Sequence, residues 1–255
     1  WFKTNKSPIT EKDIEKRLEK FRKQSKNYLY PSFDTIAGSG PNGAIIHYKS
    51  NNETNRKIKK KDILLVDSGG QYKWGTTDVT RTICSGKVNN KIKENFTRVL
   101  KGHIAVTTCN LKNKFNGHMI DNLARNSLNS VGLNYSHGTG HGVGFFLNVH
   151  EGPQAISKNN KVKLKEGMIL SNEPGYYLTN NYGIRIENLI YIDSDKKNLN
   201  FKNLTYVPID TEMINFKMLN IQEKNYLFDY HLNVYCKLSK YLDNPEKKWL
   251  VSLIK

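Results

Sequence analysis

Three of the seven histidines fall within residues 137–153, HGTGHGVGFFLNVHEGP, where Gly-Thr-Gly separates His137 from His141 and His150 follows. Neutral imidazole is the commonest protein metal ligand and also carries protons near neutral pH. Glycine lets a backbone turn tightly and approach a ligand closely. A histidine-dense, glycine-rich stretch of this kind reads as the floor of a metal site. Carboxylates flank it in two similar arrangements. The apolar run 63–66 ends on Asp67, Ser68-Gly69-Gly70 predicts a turn, and TTDVTRTI at 76–83 reads as a β-rich return carrying Asp78. Later, Met168-Ile169-Leu170 leads into Asn172-Glu173-Pro174-Gly175, and GIRIENLIYI at 183–192 predicts a second return strand holding Glu187. A charge at the end of a buried strand is costly unless it is paired or bound to metal. The order of apolar strand, carboxylate, glycine turn and carboxylate-bearing strand thus occurs twice, predicting two related halves facing each other across a shared site.

Four carboxylates converge only if something holds their negative charge, and a divalent cation does this. A carboxylate-dominated set with one imidazole favours Mn²⁺, with Zn²⁺ or Co²⁺ as substitutes. Five side chains, several able to bridge, are more than one open ion needs. Two ions roughly 3.5–4 Å apart fit better.

The remaining chain supplies the elements that must position these groups. Thr10 predicts a helix cap, with Asp13 three residues on and Ile9 and Ile14 as a hydrophobic staple. Ile14, Leu18 and Phe21 then share one helical face. Residues 44–48, AIIHY, read as a short strand. Phe96, Val99, Leu100 and Ile104 mark a second helix, and Ile120, Leu123, Ala124, Leu128 and Val131 a third, with Gly132 at its C-terminal cap. Residues 204–209 read as one more strand and 221–242 as mostly helix, with Tyr226, Leu227, Tyr230 and Val234 forming an apolar stripe. No titratable cluster is visible in this last segment, which reads as structural or as an oligomer contact.

At 255 residues and 37% hydrophobic content, the chain can build one large domain or two small ones. No run is long enough to span a bilayer, and the N-terminus does not read as a signal peptide. Three cysteines, odd in number and without metal-type spacing, suit a reducing compartment as buried free thiols. The net charge of +17 raises nucleic acid as a partner, but the basic residues are dispersed. Their densest cluster, RKIKKK at 56–61, reads as a solvated loop with no recognition-helix, zinc-finger or aromatic RNA-binding signature. Neither nucleic acid nor membrane is expected as a partner.

The segments DSGGQYKWGTTDVTRTI, HGTGHGVGFFLNVHEGP, EPGYY and GIRIEN resemble the metal-site motifs of the M24 metallopeptidases. PSFDTIAGSGPNGAIIHY and the tail motifs VPIDTEMI and DYHL are similar to the eukaryotic Xaa-Pro aminopeptidase branch, so the resemblance covers nearly the whole chain. It implies the α/β (α+β) pita-bread fold, whose pseudo-two-fold symmetry agrees with the repeat. It further implies a catalytic domain over residues 1–200 and a C-terminal extension over 203–255 serving dimerisation. Large N-terminal domains found in such family members are missing, so the chain reads as a fragment of a longer protein.

The implied metal ligands are Asp67, Asp78, His141, Glu173 and Glu187. His47 and His150 match the family's substrate-site histidines, and His137 lies beside them. Period-two alternation puts Arg185 on the same strand face as Glu187, where it would orient that ligand or offset the excess of carboxylates. The implied activity is removal of the N-terminal residue from peptides with proline in second position, by attack of a hydroxide held between two ions. In that reading Glu173 relays the proton as it ligates, and His150 with His47 stabilises the oxyanion or holds the carbonyl after it. Tyr176, Tyr177 and Phe145 are candidate walls of the proline pocket. A cytoplasmic homodimer is the implied setting. Prolidase and methionine aminopeptidase share the five ligands and are the enzymatic alternatives. A non-catalytic pita-bread module that binds nucleic acid or protein is the other, and it predicts missing ligands, whereas all five are here.

Overall fold

The computed structural model describes residues 1–5, 7–111, 116–195 and 198–254. Its first helix, α1 (Glu11–Arg22), begins with the expected capping box: the Asp13 amide donates to Thr10 Oγ1 while Thr10 N–H donates to the Asp13 carboxylate. Ile9 and Ile14 are buried together against Ala37 and Leu64. Strands β1 (Tyr28–Pro31) and β2 (Ile36–Ser39) follow. Residues 44–48 are not a strand. Pro41 starts a 3₁₀ turn over Gly40–Ala44, and the Ile45 and Tyr48 amides donate to the Asn42 and Ile45 carbonyls in successive turns. The apparent alternation arises because these turns expose Ile45 and His47 and bury Tyr48.

Next come β3 (Ile63–Ser68), β4 (Gly70–Tyr72), β5 (Gly75–Thr76) and β6 (Val79–Cys84). Strand β3 is the centre of an antiparallel sheet, β2-β3-β6, with Asp67 opposite both Ile36 and Thr80. Ser68-Gly69-Gly70 does not reverse the chain. It passes into a second sheet, β1-β4-β5, and the reversal comes at Lys73-Trp74. Gly69 serves close approach instead, since a Cβ there would meet the Thr77 carbonyl oxygen at 2.0 Å.

Helices α2 (Asn90–Thr107) and α3 (Gly117–Asn129) pack on one another, and Gly132 closes the end of α3 with the Leu133 amide bonded to the Leu128 carbonyl. Then β7 (Gly140–His141), β8 (Ala155–Ile156), β9 (Ile169–Asn172), β10 (Gly175–Leu178), β11 (Tyr182–Arg185), β12 (Asn188–Asp195) and β13 (Asn198–Asn203) complete the strands. Residues 183–192 are two strands rather than one. β11 pairs with β10 in a hairpin, β12 pairs with β9 and β13, and the break falls at Ile186-Glu187. The first unit breaks the same way at Thr77-Asp78. Both halves therefore run as strand, hairpin, break and return strand. They join where the Glu187 amide donates to the Thr80 carbonyl (3.1 Å) and the Arg185 amide to Thr82 Oγ1 (3.0 Å).

Helices α4 (Ile221–Leu238) and α5 (Asn244–Ser252) end the chain. Residues 204–209 form no strand, because the Val207 and Pro208 carbonyls accept from Arg81 and the Ile209 amide donates to His231 Nε2. Leu227, Tyr230 and Val234 of α4 and Leu250 of α5 enter the main core beside Phe96, Leu100, Ile184 and Ile186. Each such buried side chain contributes about 1.5–3 kcal/mol, so the C-terminal segment shares the core of the strands it covers. A second cluster, with Ile120, Ile156, Leu170 and Ile190, lies under α3 and the β12 sheet. The segment also holds a titratable cluster that periodicity does not reveal: Lys3 bridges Asp210 (3.0 Å) and Glu212 (2.9 Å) beside Cys84. Of the three free thiols only Cys84 is fully buried; Cys109 is partly buried and Cys236 is exposed on α4. Lys57 and residues 59–61 are exposed, as a solvated loop requires.

Glu11, at the start of α1, is fully buried. Its carboxylate accepts from the Ser39 amide (2.7 Å), the Arg56 amide (2.9 Å), Tyr48 Oη (2.8 Å) and Asn42 Nδ2 (3.1 Å). One side chain thereby ties down both ends and the middle of the irregular segment that carries His47. Each buried donor left without an acceptor costs about 1–3 kcal/mol. Glu11→Ala should therefore lower unfolding free energy by at least about 3 kcal/mol in urea titration, and Glu11→Gln by roughly half as much. A loss below about 0.5 kcal/mol for the alanine variant would contradict this role.

Candidate metal centre and substrate cleft

A cleft of about 490 Å³ is lined by all nine side chains singled out above: His47, Asp67, Asp78, His137, His141, His150, Glu173, Arg185 and Glu187. The repeat explains the convergence. Asp67 is the second-last residue of β3 and Glu173 follows β9, while Asp78 and Glu187 occupy the two matching breaks. A strand break frees a backbone position from the ladder, so its side chain can turn inward between the halves. His141 enters on β7, which pairs with β8 and lies against β9. A Cβ on Gly140 would stand 1.9 Å from the Ser171 carbonyl oxygen, and the His141 amide donates to Ser171 Oγ at 2.9 Å. The glycines thus press one histidine against a carboxylate-bearing strand.

The electrostatics of this cluster are unfavourable as it stands. Asp67, Asp78 and Glu187 are buried, and Glu173 is half-buried. Burial first, then the charges of Asp67 and Glu173, push the Asp78 carboxyl well above its usual range. Burial and then Asp78, Glu173 and Asp67 do the same to Glu187, and burial raises Glu173. Among the described residues, the buried Asp67 Oδ1 has no hydrogen-bond partner. His141 Nδ1 lies 2.9 Å from the Gly142 carbonyl, which only accepts, so the proton of the neutral ring sits there. Its Nε2 then turns a lone pair toward Asp78 Oδ2 and Glu173 Oε1, each 3.4 Å away. Ligand atoms of Asp78, His141 and Glu187 all lie within 4.8 Å of one another. Lone pairs facing carboxylates repel unless a cation stands among them. The orphaned Asp67 oxygen and the His141 tautomer both fit a divalent metal.

Arg185, 2% exposed, is the positive charge within this ring. Its Nη2 donates to Asp67 Oδ2 (2.7 Å), its Nη1 to Tyr177 Oη (2.7 Å) and its Nε to Thr80 Oγ1 (3.2 Å). The Glu187 carboxylate accepts from the Thr80 hydroxyl (2.7 Å) instead, so Arg185 orients Asp67 in the other half of the repeat. His137 donates through Nδ1 to the Gly138 carbonyl (2.7 Å) and accepts at Nε2 from Tyr177 Oη (2.8 Å). Burial, followed by the charge of Arg185, holds its pKa at about 4, so the ring stays neutral. Both ring nitrogens of His137 are thus engaged within the protein, and only the face of its ring is left for contact in the cleft.

His47 and His150 are exposed at the cleft mouth, and the His150 ring stands edge-on to His141 at 4.0 Å. Of the three candidate walls, Tyr177 lies at the site, Tyr176 packs against the main core near Tyr182, and Phe145 is 66% exposed outside this cleft. Apolar walls come instead from Phe33, Ile36, Ile46 and Val149. Ile46 and Val149 directly precede His47 and His150 in sequence, and that adjacency is the signal that could have found them.

Residues 2–194 match metallopeptidase family M24, and residues 197–254 match the C-terminal region of the M24 peptidases. The chain is 46% identical over 255 residues to a probable Xaa-Pro aminopeptidase P of Laccaria bicolor, covering 95% of this chain and 40% of that protein. It superposes with a TM-score of 0.94 and 36% identity on X-prolyl aminopeptidase from Caenorhabditis elegans, described as a cytosolic enzyme with a di-nuclear active site, over 98% of this chain and 43% of that one. Prolidase from Pyrococcus furiosus is matched at TM-score 0.71 and 29% identity, over 80% and 58%. The chain thus spans about two-fifths of the curated relative it matches. Its helices and strands take the mixed α/β pita-bread fold, and the chain belongs to metallopeptidase family M24.

Proposed function

We propose that this chain is the catalytic part of an Xaa-Pro aminopeptidase, which removes the N-terminal residue from peptides with proline in second position. The observation carrying this reading is the cleft in which four carboxylates and the Nε2 of His141 face one another beside apolar walls and two exposed histidines. The Laccaria bicolor and Caenorhabditis elegans aminopeptidases cover 95% and 98% of the chain, whereas the Pyrococcus furiosus prolidase covers 80% of it, which favours the activity named for the first two.

Asp67, Asp78, His141, Glu173 and Glu187 would hold two divalent ions. Mn²⁺ is our assignment on the oxygen-rich donor set, with Zn²⁺ and Co²⁺ as substitutes. Such ions polarise a scissile carbonyl and lower the pKa of water toward neutrality. Glu173, raised by burial and less enclosed than Glu187, takes the proton from the attacking water and delivers it to the leaving proline nitrogen. His150 and His47 at the mouth donate to the carbonyl oxygen as negative charge develops on it. Arg185 holds Asp67 in place, and Tyr177 links it to His137. Ile46 and Val149 receive the pyrrolidine ring, whose tertiary amide carries no N–H to satisfy.

A cytosolic location is proposed from the compartment described for the Caenorhabditis elegans enzyme and from the three free thiols. Residues 203–255 are proposed as an extension of a domain spanning 1–200 that also mediates a homodimer. Phe228, Leu232, Trp249 and Val251, which α4 and α5 expose, support this. Sedimentation equilibrium should find two chains per particle at micromolar concentration, and a monomer there would remove the dimer. For the activity, the purified full-length protein should release the first residue of an Xaa-Pro-Xaa tripeptide and leave an Xaa-Pro dipeptide intact. Cleavage of the dipeptide alone would make it a prolidase, and release of methionine from peptides lacking proline would make it a methionine aminopeptidase.

A further inference from the structure

Arg81 on β6 is 7% exposed, and among the described residues its guanidinium forms no ion pair. It is caged by neutral oxygens drawn from three places. Nη1 donates to the carbonyls of Thr80 (2.8 Å) and Glu187 (2.5 Å). Nη2 faces Asn188 Oδ1 (2.7 Å), the Val207 carbonyl (2.6 Å) and Tyr230 Oη (2.9 Å), while Nε donates to the Pro208 carbonyl (3.0 Å). Tyr230 in turn donates to the Val207 carbonyl at 2.8 Å. A buried, unpaired cation is dearer than the apolar side chain that would fill the same space. What the guanidinium adds is a rigid planar fork that sets several acceptor directions at once.

Those directions bear on one carboxylate. The Thr80 carbonyl that Arg81 holds also receives the Glu187 amide, and the Thr80 hydroxyl donates to Glu187 Oε2. Arg81 therefore clamps the main chain of Glu187 and of the residue that orients its carboxylate. The other end of the fork is anchored on residues 207–208 and on α4, outside the two repeated units. We propose that Arg81 is a positioning residue for Glu187, through which the C-terminal region sets the geometry of the metal centre. This rests on the reading of Glu187 as a metal ligand. It assigns Val207, Pro208 and Tyr230 a part in metal binding as well as in packing.

The test uses the metal-stripped full-length protein and Mn²⁺ as the probe. Arg81→Lys keeps the charge without the fork, and Tyr230→Phe removes one anchor while leaving the guanidinium its other acceptors. Arg81→Lys should weaken Mn²⁺ binding about 10-fold by calorimetry, the size expected for loss of a group that orients a ligand. Its kcat should fall while KM stays within about twofold, because Arg81 touches no substrate. Tyr230→Phe should shift both in the same direction by about threefold. If Arg81→Lys does not fold, Tyr230→Phe carries the test alone. Variants with a lowered melting temperature but wild-type Mn²⁺ affinity and kcat would make the clamp purely structural and overturn the proposal. Wild-type protein that takes up none of Mn²⁺, Zn²⁺ and Co²⁺ would instead overturn the metal reading, and the proposal with it.

Discussion

Four carboxylates are brought into one cleft against their mutual repulsion, and much of the structure is the means of doing so. Burial and neighbouring negative charge raise Asp78 and Glu187 well above the ordinary carboxyl range. One guanidinium, Arg185, stands among them with hydrogen bonds to Asp67, Tyr177 and Thr80. A single buried cation cannot balance four carboxylates, and the His141 Nε2 lone pair adds to the imbalance. Divalent cations held by these side chains would offset it. The fold supplies the rigidity, through two equivalent strand breaks that project Asp78 and Glu187 inward and direct hydrogen bonds that hold the halves together.

The site was far more legible in the sequence than the local geometry around it. Asp67, Asp78, Glu173 and Glu187 stand out because a carboxylate beside an apolar strand run is costly and because the pattern occurs twice. That signal survives errors in strand boundaries. The breaks at residues 77–78 and 186–187 were invisible, since TTDVTRTI and GIRIENLIYI keep the β-rich composition of an unbroken strand. Residues 44–48 alternate in hydrophobicity for a reason unrelated to a sheet: successive turns held by Glu11 bury Tyr48 and expose His47. Residues 204–209 look like a strand, yet their polar backbone atoms are claimed by Arg81 and His231, partners distant in sequence.

Residue pattern alone does not separate the histidines; the family resemblance does, and the structure supplies a physical reason. Periodicity treats His137, His141 and His150 alike. Hydrogen bonding distinguishes them: His141 keeps one nitrogen free toward the carboxylates, His137 has both engaged, and His150 stands exposed at the mouth. Glycine at 140 permits this by letting β7 lie against β9 where any side chain would collide. The exposed lysines at 59–61, part of the high net charge, lie on a solvated loop and are not among the residues lining the cleft.

The central claim is that the carboxylate cluster is a binding site for two divalent ions on which activity depends. It is tested most directly by elemental analysis of metal-stripped protein reloaded stepwise with Mn²⁺, with hydrolysis of an Xaa-Pro-Xaa peptide followed in parallel. The account predicts negligible activity in the stripped protein, returning with metal content and levelling off near about two ions per chain. Full activity after complete removal of metal would contradict it.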